Sequence, residues 1–63
     1  KVFTAGNKLH IVTPKAETVR VYDINGRCHL ESQAIAGMNI YNISNKGIYL
    51  VKVGNNTAKV IIR

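Results

Sequence analysis

The chain is short of the groups that make enzymes. It has three acids, Asp23, Glu17 and Glu31, two histidines, His10 and His29, and a single cysteine, Cys28. One cysteine forms no internal disulfide, and its spacing from the histidines is not that of a zinc finger. Cys28 and His29 are adjacent, so on a strand their side chains leave opposite faces, and a small buried Cys beside two partly exposed His residues is the expected arrangement. Arg27 is the only cation beside the Cys28 thiol, and no buried acid is identifiable to orient a histidine base, so nucleophilic catalysis lacks a constellation. The three acids read as turn-proximal and polar, which leaves no pair with divergent environments for acid–base work. The five glycines stand apart and form no phosphate cradle. Tryptophan is absent and Tyr numbers three, which argues against a sugar-stacking surface.

Long apolar runs are missing as well. Ile48–Val51 and Val60–Ile62 are far shorter than the roughly 20 residues that span a bilayer, and no apolar stretch follows Lys1 as in a signal peptide. At 63 residues the chain makes one small domain burying about 60% of its unfolded surface, too little for a stable core and an enclosed active site together. The reading is a single domain over residues 1–63, a C-terminal piece of a longer protein, with no cofactor and no metal.

What is present is positive charge and strand pattern. Nine Lys and Arg give a net charge of +6, which favours polyanionic partners without choosing among nucleic acid, anionic lipid and acidic glycan. The basic residues are spread evenly, as in a solvated surface whose strand edges carry Lys against aggregation. A basic oligonucleotide-binding barrel is the electrostatic rival, with Tyr22, Tyr41 and Tyr49 as stacking residues, but no strand shows a surface row of aromatics flanked by cations.

Apolar and polar residues alternate in Lys8–Thr13 and Thr18–Ile24, with Pro14–Glu17 between them as a turn. Asn25-Gly26 readily takes positive φ and closes a hairpin onto Arg27–Ser32. Met38–Ile43, Ile48–Val53 and Thr57–Arg63 follow as strands, with turns at Ser44–Gly47 and Gly54–Asn56, and Val2–Thr4 adds a short strand in front. Helix has one short candidate, Glu31–Ala36. The fold class is therefore all-β, a small antiparallel Ig-like β-sandwich of six to seven strands spaced roughly 8 to 12 residues apart. Successive turns favour neighbouring antiparallel strands. Period two points Leu9, Ile11, Val19, Val21, Tyr49, Val51, Val53, Val60 and Ile62 inward and Lys52 and Lys59 outward. Ile48, Leu50 and Ile61 then lie outside, more apolar surface than a free monomer carries, as a docking face would.

In this order VYDINGR (21–27), Gly37–Ile40, KGIYLVKV (46–53) and the terminal AKVIIR (58–63) resemble the C-terminal sorting domain, type A, of the Bacteroidetes type IX secretion system. The resemblance implies a non-catalytic export signal on an Ig-like sandwich. Its partners would be the outer-membrane secretion translocon, a sortase-like protease and the N-terminal cargo domains of the same chain. It implies transit through the periplasm to the cell surface or exterior, with attachment of the cargo to anionic lipopolysaccharide. It places recognition on Gly26, on Gly47, Tyr49 and Lys52, and on Lys59, Val60, Ile61, Ile62 and Arg63. Where many type A members carry a Pro-Asn-Pro-like segment, this chain reads Thr4–Lys8 and has its only proline at Pro14. The alternative reading is an accessory structural or cargo-docking sandwich without an export role.

Overall fold

The computed structural model describes residues 1–63. Its strands are β1 (Val2–Ala5), β2 (Lys8–Thr13), β3 (Glu17–Asp23), β4 (Cys28–Ala34), β5 (Gly37–Asn42), β6 (Gly47–Val53) and β7 (Asn56–Ile62). They form a three-stranded sheet, order β1-β2-β5, and a four-stranded sheet, order β4-β3-β6-β7. Every pairing is antiparallel. The expected all-β sandwich is what the chain forms, and two separate sheets are not the closed barrel of the oligonucleotide-binding alternative.

Neighbours in sequence are neighbours in a sheet only at β1-β2, β3-β4 and β6-β7. The expected hairpin between Lys8–Thr13 and Thr18–Ile24 is not one. Pro14, Lys15 and Ala16 carry the chain from one sheet to the other, and the links β4 to β5 and β5 to β6 also change layer. The reason is burial: the inner face of one sheet is covered only by the other, so the chain has to cross repeatedly to build both layers around one core. The helix candidate Glu31–Ala36 is instead mostly β4, because Glu31 pairs Arg20 and Ala34 pairs Glu17 across a ladder.

Leu9 and Ile11 from β2 meet Val19, Val21 and Val51 from β3 and β6, all fully buried. Tyr49, Val60 and Ile62 join them as expected, whereas Val53, near the sheet end, is only half-buried against the core. Ala34 and Ile43 complete it. Ile43 follows β5 directly, and its amide donates to the Asn7 carbonyl at 3.0 Å, which turns the side chain under the sandwich. Thr13 is buried with its hydroxyl donating to the Lys15 carbonyl at 3.0 Å, so the crossing segment is tied down and this buried hydroxyl is paired.

Candidate functional site: the terminal strand and its sheet face

Strand β7 owes its position to a two-residue turn. Val53 pairs Asn56 around Gly54-Asn55, and the ladder then runs without a shift from Lys52↔Thr57 through Leu50↔Lys59 and Ile48↔Ile61 to Gly47↔Ile62. Gly54 alone of the two turn residues has positive φ, as in the turns that match strand twist with Gly in first place. Alternation then sends Ala58, Val60 and Ile62 inward and Thr57, Lys59, Ile61 and Arg63 outward. On β6 the same rule buries Tyr49 and Val51 and exposes Ile48, Leu50 and Lys52.

The outer face of this sheet has an apolar centre. Ile48, Leu50 and Ile61 are each about two-fifths exposed and adjoin one another through the register. Tyr22 lies opposite Leu50 on β3. Lys52, Lys59 and Arg63 stand around this centre with no acid paired to them. The acid that this face does carry, Glu31, is taken: the Arg20 Nε donates to its Oε2 at 2.7 Å, and that bond holds the guanidinium pKa above its ordinary value. Beside β7 an open cleft of about 460 Å³ is lined by Thr4, Gly6, Lys59, Ile61 and Arg63.

A second cluster sits at the end of the sheet where β3 and β6 meet the connecting loops. The turn closed by Asn25-Gly26 is wider than the sequence suggests. Strand β3 ends at Asp23 and β4 starts at Cys28. Gly26 has φ 84° while Asn25 does not take positive φ. The Gly26 amide donates to the Asp23 carbonyl at 3.0 Å, and the amides of Asn25 and Arg27 both donate to Asp23 Oδ1, at 2.9 and 3.0 Å. A carboxylate that caps its own turn selects this wider geometry over the two-residue one. The other oxygen, Oδ2, lies 2.7 Å from His29 Nε2. The His29 bond first, and then the two backbone amides, hold the Asp23 carboxyl below its ordinary pKa. The His29 ring in turn meets Tyr49 edge-on at 5.5 Å, and the Tyr49 hydroxyl donates to the Asn45 carbonyl at 2.8 Å.

The nine residues singled out in the sequence therefore fall into three groups. Lys52, Lys59, Ile61 and Arg63 share the outer face. Tyr49, Val60 and Ile62 are core. Gly26 and Gly47 are backbone positions at one end of the sheet, and Gly47, at φ 150°, opens β6 in a conformation that side chains avoid. Asp23 stabilises the Asn25-Gly26 turn, as its place before that turn suggests, but its pairing with His29 was not legible in the sequence, because their six-residue separation becomes a contact only once the hairpin width is known. Cys28 is exposed rather than buried, since it begins an edge strand beside the register shift between Val21 and Tyr22. Glu31 is mid-strand rather than turn-proximal. No group of three or more metal-ligating side chains occurs.

Comparison with known proteins gives one match. The family model described as the secretion system C-terminal sorting domain matches residues 5–63. Comparisons with curated proteins and with solved structures returned no match.

Proposed function

This chain belongs to the secretion system C-terminal sorting domain family, and from that premise we propose that it is a non-catalytic type IX export label read through the outward side of β7. The family implies a secretion machinery, a cargo carried N-terminal to the label, and delivery to the cell surface or exterior. The finer reading is that the outer-membrane translocon engages Lys52, Lys59, Ile61 and Arg63. Tyr49, Val60 and Ile62 hold β6 and β7 in register from inside, and Gly26 and Gly47 set the ends of β3, β4 and β6. A sortase-like protease and anionic lipopolysaccharide follow as later partners of the delivered cargo. The observation that carries this reading is the unpaired cations around an exposed apolar centre on the terminal strand and its neighbour.

The test is a fusion of residues 1–63 to the C-terminus of an inert periplasm-targeted reporter in a bacterium with a type IX system. Reporter outside the cell, lost when the translocon is disabled, is the expected result. Lys59→Glu leaves the core untouched and should reduce export without unfolding the label. Retention of a folded fusion in the periplasm would overturn the proposal. It would favour a module that docks on its cargo, a reading supported by Met38 and Ile40, which are 53% and 55% exposed on the opposite sheet.

A further inference from the structure

Resting on that reading, we propose how the label is gripped: the edge of β7 that carries no ladder is a strand-addition site for an extended acidic segment of the reader protein.

The phase of the β6-β7 ladder decides which way the β7 backbone points. In an antiparallel pair the backbone groups of successive residues alternate between the partner strand and the far side. The Ile61 carbonyl accepts from Thr4 Oγ1 at 3.3 Å, away from β6. The amides and carbonyls of Thr57 and Lys59 and the amide of Ile61 therefore point to the same open side. β1 lies against this side but makes no ladder with it, and the Thr4 hydroxyl is the hydrogen bond that joins them. The cleft between them is where Lys59, Ile61 and Arg63 are reached.

Exposed edges invite a further strand and are usually blunted by a bulge, a proline or short length. β4, the other edge of this sheet, carries a register shift at its start. On β5, the Asn39 side chain donates to the carbonyls of Ile35 and Gly37 and accepts from the Ile35 amide, which ties the edge to its own loop. β7 has seven residues, no proline and an unbroken register.

Charge selects the occupant. A second copy of β7 laid antiparallel would set Lys59 and Arg63 against the same cations, and like charges across a ladder are destabilising. An acidic segment meets them with opposite charge while its main chain pairs with Lys59 and Ile61, the pattern of main-chain affinity and side-chain specificity found in strand addition.

The experiment titrates the 63-residue chain with a synthetic peptide of alternating valine and glutamate, its lysine counterpart, and a version N-methylated on alternate residues to block one edge. The acidic peptide should bind at least about tenfold tighter than either control. It should slow amide exchange at Lys59 and Ile61 by a similar factor. Lys59→Glu should weaken it about tenfold, and Thr4→Val, which frees the Ile61 carbonyl, should not weaken it. Equal affinity for the N-methylated peptide, or unchanged exchange at Lys59 and Ile61, overturns strand addition. The export assay separates this from the functional reading: export without peptide binding refutes only the grip, and peptide binding without export refutes only the label.

Discussion

Asp23 does three things with one carboxylate. It caps two amides of its turn, it pairs with His29, and through His29 it reaches the ring of Tyr49. Its pKa is depressed in the folded chain, so its stabilising effect is complete above the unfolded value of about 3.9 and is lost as pH falls through the lower folded value. The midpoint of thermal unfolding should therefore drop on acidification below about pH 4. Asp23→Asn keeps an oxygen for the turn but has no carboxyl to protonate, so it should unfold at a lower temperature at neutral pH and show a flatter acid limb. A variant whose acid limb matches the parent would show that Asp23 is not the source of the acid sensitivity. Gly26 sits in the same turn with open space where a side chain would be, so Gly26→Ala should cost only the positive-φ strain, about 1 kcal/mol, seen as a Tm lower by roughly 4–8 °C.

β6 carries the core on one face and the candidate recognition surface on the other, so substitutions one residue apart should separate stability from export. Val51 is fully buried, and Val51→Ala should cost about 2 kcal/mol, measured by urea unfolding. Leu50→Thr on the outer face should change stability by less than about 0.5 kcal/mol, yet it removes the centre of the exposed apolar row and should reduce export. Equal export for Leu50→Thr and the parent would take the centre of the apolar row out of the recognised surface and leave Lys52 as the part of β6 that belongs to it. At this scale the sequence was mostly legible. Strand and turn signals located all seven strands, and period two located nearly all of the core, because β2, β3, β6 and β7 each have one buried and one wet face. It did not say which strands share a sheet, since a crossing loop such as Pro14–Ala16 and a hairpin loop use the same residue types. Ile43 and Ala34 were not legible as core for a related reason: Ala34 ends β4 behind the polar Ser32, and Ile43 lies just past β5, where its burial depends on the turn that ties it to Asn7.

Charge is a property of the whole molecule. Of nine Lys and Arg, only Lys15 and Arg20 have an acid partner, at 3.8 and 2.7 Å, and both pairs are at the surface. Such pairs contribute little, while the remaining cations repel one another over a small body and oppose compaction. The composition announced this imbalance, but it did not show that the acids would be spent locally, Glu31 on Arg20 and Asp23 on His29 as well as on its own turn. That consumption leaves the outer face of the four-stranded sheet with unpaired cations and ties the proposed recognition to the same charge that limits stability. Raising sodium chloride from about 20 mM to about 0.5 M shortens the screening length from roughly 20 Å to under 5 Å. Thermal unfolding of residues 1–63 should move to higher temperature across that range while binding of an acidic peptide weakens. The two opposite trends follow from a single cause. A Tm that falls with salt would mean that the ion pairs of Arg20 and Lys15 outweigh the repulsion, and binding indifferent to salt would leave the β7 main chain, not Lys59 and Arg63, as the source of affinity.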